Sequence, residues 1–157
     1  MSSGACEINK ITLEIWGNNY CGSNYGPYIE IRSANGEKRH TYFHGPFSSG
    51  TTLIWDNNGE NRYGGKNLGG VSGFQVKPFQ IQSKSPYFGS SVIKFRIVGG
   101  GGDDFCPRTL TIYTKDGMKY QKYRMEDWVD NNKGDEWRIA RILNSKAIAK
   151  AVEEWKK

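Results

Sequence analysis

The chain has 157 residues, 20 glycines, an aromatic content of 13% and a formal net charge of +6. This length suits one domain with a single substantial core, and the glycine and aromatic content suits many short strands joined by turns. No stretch approaches the 18 or so consecutive apolar residues of a membrane-spanning helix. The last twenty residues carry six basic and two acidic side chains, so most of the charge belongs to them and the rest is nearly balanced. Such a charge favours contact with anionic surfaces without identifying one.

Short segments of alternating or β-branched apolar residues predict strands along most of the chain. In order, they are Ile11–Trp16, Tyr28–Arg32, Lys38–Phe43, Thr51–Trp55, Phe74–Ile81, Ser91–Val98, Thr109–Thr114, Met118–Tyr123 and Glu136–Ile142. Asn35-Gly36 and Asp116-Gly117 predict hairpin turns, and Pro78 indicates an edge strand or bulge. Eight or nine strands at this spacing predict an all-β fold, an antiparallel β-sandwich or jelly roll over residues 7–142.

The final segment, residues 143–157, follows a different pattern. Its apolar residues lie on one helical stripe, which predicts an amphipathic α-helix with Asn144 or Ser145 as N-cap. This helix either covers one end of the sandwich, the favoured interpretation, or lies on a membrane or partner. Residues 1–6 lack the basic and apolar regions of a secretory signal, so they are interpreted either as a native leader or as residues that replace a removed signal.

Three cysteines leave the redox state open. A disulfide between Cys6 and Cys21 is conceivable, Cys106 is able to pair with either, and the alternative is a reduced protein with three thiols. No C-x-x-C pair supports a thiolate zinc site. A secreted, extracellular location is slightly favoured over a cytoplasmic one.

The most informative stretch is an acidic glycine loop. Four glycines, Gly99–Gly102, precede Asp103 and Asp104 and separate two predicted strands. Adjacent carboxylates repel each other unless a cation, a basic side chain or water relieves them. The loop therefore indicates ion binding or contact with a surface. The alternative is a solvated turn, or an ion pair with Arg108.

This loop and the residues after it resemble the PLAT domain, named for polycystin, lipoxygenase and alpha-toxin, including the small plant stress and embryo proteins made of that domain alone. The resemblance rests on Gly101–Ile112, an acidic glycine segment leading into a strand, and on Tyr120–Val129, an aromatic strand leading to Trp128. Gly134-Asp135 closes the motif. The resemblance as a whole covers roughly residues 7–142. Gly22-Ser23-Asn24 departs from the G-T-D-like turn that the family often has.

The resemblance implies an eight-stranded, non-catalytic sandwich that binds a membrane surface or a protein partner, sometimes with calcium. Calcium prefers several oxygen ligands at once. The candidate metal ligands are the carboxylates of Asp103 and Asp104, joined by the side chains of Asn18, Asn19 and Asn24 if the loops converge at one end. Asn24 in place of a family carboxylate leaves this site with little negative charge.

Four aromatic residues are candidates for lipid or partner contact. Tyr87 and Phe88 follow a proline in a predicted loop, and Phe105 and Trp16 are predicted to join them, because such rings suit a headgroup region. The alternative is that these rings cap the ends of the sandwich, which is favoured for Trp16.

Three other functions have less support in the sequence than membrane or partner binding: carbohydrate binding, catalysis and nucleic-acid binding. A carbohydrate-binding, lectin-like sandwich is the main alternative, with a stacking platform drawn from Trp16, Tyr20, Tyr25, Tyr28, Trp55 and Tyr63. Catalysis has little support, because His40 and His44 would lie roughly 13 Å apart in a strand and no nucleophile or P-loop motif is present. Nucleic-acid binding is not expected, since the body of the chain is nearly neutral.

Overall fold

The computed structural model describes residues 7–43, 45–56, 65–77, 79–80, 91–99, 103–115, 117–129 and 137–142. The predicted leader and the predicted C-terminal helix, 143–157, lie outside these residues. Within them the chain forms strands and a single 3₁₀ turn at Gly69–Val71. A helix with the length and apolar character to cross a membrane does not occur in this part of the chain.

The described residues form ten strands. They are β1 (Ile8–Ile15), β2 (Tyr28–Arg32), β3 (Lys38–Tyr42), β4 (Thr52–Trp55), β5 (Gly65–Lys66), β6 (Phe79–Gln80), β7 (Ser91–Val98), β8 (Pro107–Thr114), β9 (Lys119–Lys122) and β10 (Arg138–Ile142). β2 and β7 have the predicted bounds. β5 was not predicted, and the long strand predicted over Phe74–Ile81 is reduced to β6 and an isolated bridge at Gln75.

All ten strands belong to one hydrogen-bonded sheet. Their order is β3-β2-β7-β10-β9-β8-β1-β4-β5, with β6 paired to β7. Neighbouring strands are antiparallel except for the short β4–β5 pair, which is parallel. The prediction of an all-β, antiparallel fold is therefore confirmed.

The sheet curls until its two halves face each other. β3 and β4 lie near opposite edges of the strand order, yet Phe43, directly after β3, packs edge-on against Trp55 of β4 with ring centroids 5.7 Å apart. In β1 the alternating residues Ile11, Leu13 and Ile15 are buried in the same core cluster. Removing each such aliphatic side chain from water contributes about 1.5–3 kcal/mol to folding. The core therefore lies between the two curled halves.

Antiparallel pairing gathers four connections at one end of this sheet. Tyr28 at the start of β2 pairs with Val98 at the end of β7, and Ile15 at the end of β1 pairs with Pro107 at the start of β8. The connections β1–β2, β3–β4, β7–β8 and β9–β10 consequently leave the sheet on the same side. Their described residues, 16–27, 43, 45–51, 99, 103–106, 123–129 and 137, are called the loop end below.

Candidate functional site

A disulfide ties two connections of the loop end together. Cys21 and Cys106 are bonded, with their Cα atoms 4.8 Å apart, and the Cys106 N–H donates a hydrogen bond to the Cys21 carbonyl at 3.1 Å. Of the pairings that the sequence left open, the structure contains this one. Cys6 lies outside the described residues. The β1–β2 loop is therefore fixed covalently to the acidic loop.

Two β-bridges fix the remaining connections. Ser23 and Phe47 exchange backbone hydrogen bonds of 3.0 and 2.9 Å, and Phe105 and Val129 exchange bonds of 3.1 and 2.9 Å. These bridges join β1–β2 to β3–β4 and β7–β8 to β9–β10. Together with the disulfide, they make the four connections one mutually supported surface.

Asp103 meets the β1–β2 loop. Its Oδ2 accepts a hydrogen bond from the Asn24 backbone N–H at 2.8 Å, and its carbonyl accepts one from the Ser23 hydroxyl at 3.0 Å. Asp104 is exposed. The Asp103 carboxylate thus stabilises a turn, and Asn24 contributes its backbone N–H to this contact.

The other predicted metal ligands, Asn18 and Asn19, line a cavity at the loop end. The cavity has a volume of about 230 Å³, and its other lining residues are Trp16, Glu126, Trp128 and the disulfide. Among the residues that the structure describes, no cluster of three or more His, Cys, Asp or Glu side chains forms. Calcium takes about 6–8 oxygen ligands, so these residues do not assemble a complete calcium site, and calcium binding stays a prediction.

Phe105 belongs to the core. Its ring is fully buried and packs edge-on against Phe47 with centroids 5.6 Å apart. A ring with no exposed surface has nothing to insert into a lipid headgroup region, so the predicted contact role of Phe105 is wrong. Tyr87 and Phe88, the other predicted anchors, lie outside the described residues.

Trp16 caps the core and is held by polar contacts. Its indole Nε1–H donates to the Met125 carbonyl at 2.7 Å, and the guanidinium groups of Arg108 and Arg124 lie 4.8 and 5.7 Å from its ring. Arg108 Nη1 also donates to Glu14 Oε1 at 2.6 Å, and this hydrogen bond raises the pKa of Arg108. The placement agrees with the capping role that the sequence favoured for Trp16.

Four aromatic rings of the loop end are exposed instead. Tyr20 is 88% exposed, Tyr123 60%, Tyr25 51% and Trp128 47%. Tyr20 has a φ of 67°, a left-handed conformation that is uncommon for a residue other than glycine. The sequence named Tyr20 and Tyr25 only for a carbohydrate platform, and it named Tyr123 and Trp128 only as part of a motif. A local signal was available for Tyr20 and Tyr25, since both stand among glycines and asparagines near Cys21.

The stacking platform predicted for a carbohydrate does not form as a unit. Trp55 is fully buried in the core, and the Tyr28 ring stacks on His40 with centroids 4.9 Å apart. Tyr63 lies outside the described residues. Trp16, Tyr20 and Tyr25 remain at the loop end, where Trp16 lines the cavity described above.

A curled antiparallel sheet whose loops gather at one end has the architecture of a β-sandwich. No family model and no curated protein matches the sequence. The solved structure of coral 8R-lipoxygenase, described as activated by calcium through a C2-like domain, matches 94% of this chain at 16% identity with a TM-score of 0.50. Lipoxygenase is one of the proteins that give the PLAT domain its name, so the resemblance is confirmed at the level of the fold.

Two bacterial toxins are also similar. Alpha-toxin from Clostridium absonum matches 92% of the chain at 11% identity with a TM-score of 0.48, and that from Clostridium perfringens matches 90% at 14% identity with a TM-score of 0.46. The chain covers 20% of the lipoxygenase and 33% and 34% of the two toxins. It thus spans a minor part of each of these longer proteins.

Proposed function

We propose that this chain is a non-catalytic module that binds a membrane surface through its loop end. The observation that carries the proposal is the group of exposed rings of Tyr20, Tyr25 and Trp128 at one end of the sheet. Tyrosine and tryptophan combine a large apolar ring with a polar tip, which suits the boundary between lipid headgroups and acyl chains.

The support beneath these rings favours binding. Tyr20 directly precedes Cys21 of the disulfide, and Trp128 directly precedes Val129 of the bridge to Phe105. Because the backbone at both positions is already fixed, docking orders few additional torsions and loses little conformational entropy. The described charged residues of the loop end are one basic side chain, Arg124, and four acidic ones, Asp103, Asp104, Glu126 and Asp127. The proposed contact therefore rests on the aromatic rings and not on attraction to an anionic surface.

Calcium assistance is the finer part of this proposal. The coral lipoxygenase is described as activated by calcium through its C2-like domain, and the present chain offers Asp103 and Asp104 in its β7–β8 loop. The rings of Tyr20, Tyr25 and Trp128 are exposed without an ion, and Asp103 Oδ2 already accepts a hydrogen bond from Asn24. The two parts are therefore tested separately.

Vesicle flotation tests the aromatic contact. Replacing both Tyr20 and Trp128 with serine removes about 1 kcal/mol of apolar transfer for each partly inserted ring, which is a loss of roughly 10- to 30-fold in affinity for phosphatidylcholine–phosphatidylserine vesicles. Tyr113→Ser is the matched control, because Tyr113 lies in β8 close to Thr114, which pairs with Ile8 at the opposite end of the sheet. Equal binding by the double variant and the control would refute the proposal.

The calcium part is measured in the same preparation. Flotation and thermal unfolding are compared in calcium and in a chelator, for the intact chain and for Asp103→Asn with Asp104→Asn. Calcium is expected to raise the melting temperature of the intact chain and not that of the variant. If calcium leaves the intact chain unchanged, the metal part is wrong while the aromatic part is unaffected.

The cavity between Trp16 and Trp128 favours one second candidate, carbohydrate binding. Two tryptophan rings, two asparagine amides and the Glu126 carboxylate line about 230 Å³, and sugars combine stacking on such rings with hydrogen bonds to such polar groups. A glycan array tests it. Glycan binding with no vesicle binding would replace the membrane proposal.

We also propose that the chain works in an oxidising, extracellular compartment. The Cys21–Cys106 bond supports this, since disulfides persist mainly in such surroundings. Mass determination of the natively purified protein, with and without reductant, tests it. A fully reduced native protein would contradict the proposal.

A further inference from the structure

The sheet opens between β9 and β10. In the described part of the chain these strands pair only over Gln121↔Arg141 and Tyr120↔Ile142. Beyond that point the chain leaving β9 turns to β8, where the Met125 N–H donates to the Arg108 carbonyl at 2.6 Å. A groove of about 490 Å³ lies between this segment and β10.

Cationic side chains dominate the lining of this groove. Among the described residues that line it, four are basic, namely Lys122, Arg124, Arg138 and Arg141, and two are acidic, Glu126 and Asp127. These described residues together carry an excess of two positive charges. Like charges gathered in a concave surface repel each other and raise the local concentration of anions.

Arg138 is a deeply placed cation of this lining. Its side chain is only 10% exposed, and its one ion pair joins Nη1 to Asp127 Oδ2 at 3.7 Å. The buried Nε and Nη2 atoms donate to no acceptor within the described residues. Buried charged donors without acceptors are unfavourable in a folded protein, and such groups call for a functional explanation.

The two atoms also form a specific pair. The Nε–H bond and one Nη2–H bond lie on the same edge of the planar guanidinium and point in parallel directions. This edge matches two oxygens of one phosphate group. Nη1, on the other side, is the atom that faces Asp127. The ion pair with Asp127 thus leaves this edge without an acceptor among the described residues, and its two buried atoms face the groove once the side chain rotates.

We propose that the groove between β9 and β10 binds a phosphate group, with the Nε–Nη2 edge of Arg138 on two of its oxygens. Rotation about the side-chain torsions of Arg138 turns that edge into the groove it lines. Lys122 and Arg124 supply further positive charge. The phosphate belongs to a lipid headgroup or to a soluble phosphate ester, and the site is separate from the aromatic contact proposed above.

Thermal unfolding and calorimetry with inorganic phosphate and inositol trisphosphate test the soluble source. At a ligand concentration of about 100 times the Kd, the melting temperature of the intact chain is expected to rise by roughly 5–10 °C. Arg138→Gln is expected to weaken binding at least tenfold. Arg39→Gln removes the same charge from an exposed position on β3 and is expected to bind like the intact chain.

Arg138→Lys separates the bidentate edge from the charge. It keeps a positive charge and similar volume but lacks the paired donors, so we expect its affinity to fall nearly as far as that of Arg138→Gln. Flotation on phosphatidylcholine vesicles with and without phosphatidic acid tests the lipid source. Binding of either probe that depends on Arg138 supports the site and identifies the source.

Two outcomes overturn the proposal. One is that neither probe binds the intact chain. The other is that Arg138→Gln and Arg39→Gln bind equally well. The aromatic contact is tested independently of this site. The double variant Tyr20→Ser, Trp128→Ser is expected to bind inorganic phosphate like the intact chain, so a change in its vesicle binding reports on the rings alone. Unchanged vesicle binding by this variant would refute the aromatic contact and leave the phosphate site unaffected.

Discussion

Removing the Cys21–Cys106 disulfide by replacing both cysteines with alanine is expected to destabilise the fold strongly. The bond joins residues separated by 85 positions. In the chain-entropy description, closing a loop of that length lowers the entropy of the unfolded chain by about 15 cal/mol/K, or about 4.5 kcal/mol at 25 °C. A domain has a total free energy of unfolding of about 5–15 kcal/mol. The loss is therefore a third or more of the whole stability.

Thermal and urea unfolding measure this loss. For a chain of this length each 1 kcal/mol shifts the melting temperature by about 2–4 °C, so a fall of roughly 9–18 °C is expected. Cys6→Ser is the control, since it leaves the Cys21–Cys106 pair intact, and it is expected to unfold like the starting protein. A fall of less than about 3 °C in the double variant, or a peptide map with Cys6 in a disulfide, would refute the reasoning.

Two further predictions concern single side chains. Phe105→Ala deletes a fully buried ring and is expected to lower the free energy of unfolding by about 3–5 kcal/mol, measured by urea unfolding. Trp128→Ala removes a half-exposed ring and is expected to lower it by less than half as much. Equal losses in the two variants would contradict the assigned burial. Burial and the neighbouring Glu30 carboxylate raise the pKa of Tyr28, so its proton is held more tightly in the folded state than in the unfolded chain. That contribution to stability is present below a pH of about 10 and is lost as the pH rises through the higher folded value. Ultraviolet titration and pH-dependent unfolding measure it, and an identical loss of stability at high pH in Tyr28→Phe would show that another group is responsible.

The strands were predictable where alternation alone decides the structure. β2 and β7 begin and end where the sequence placed them, because every second residue in them faces the core. The strand predicted over Phe74–Ile81 fails at Lys77. There the backbone N–H donates to the Ser33 hydroxyl at 2.8 Å, and the carbonyl accepts from the Ala34 N–H at 2.8 Å. A turn between β2 and β3 takes the hydrogen bonds that a neighbouring strand would need, and no local pattern reveals such a competitor.

The candidate site was predictable in its position and less so in its chemistry. The sequence named Asp103 and Asn24 as metal ligands on the condition that their loops converge, and in the structure the two residues are in contact. The sequence could not show that the Asn24 backbone N–H donates a hydrogen bond to the Asp103 carboxylate. These residues are 79 positions apart, and the nearby Cys21–Cys106 disulfide brings their loops together. The groove at Arg138 was missed altogether. It exists because β9 and β10 diverge, and hydrophobic periodicity carries no information about where two paired strands separate.

Tyr20 and Phe105 show why exposure at the loop end is a tertiary property. Each is an aromatic residue directly before a cysteine of the same disulfide, yet one ring is 88% exposed and the other is fully buried. Phe105 lies in an extended bridge to Val129, which turns its ring towards Phe47 and the core. Tyr20 has a left-handed backbone, which directs the chain differently, and its hydroxyl is solvated at no cost outside the core. The proposed membrane contact therefore depends on the backbone conformation beside the disulfide. Tyr20→Gly, which relieves the strain but removes the ring, should stabilise the fold slightly while weakening vesicle binding.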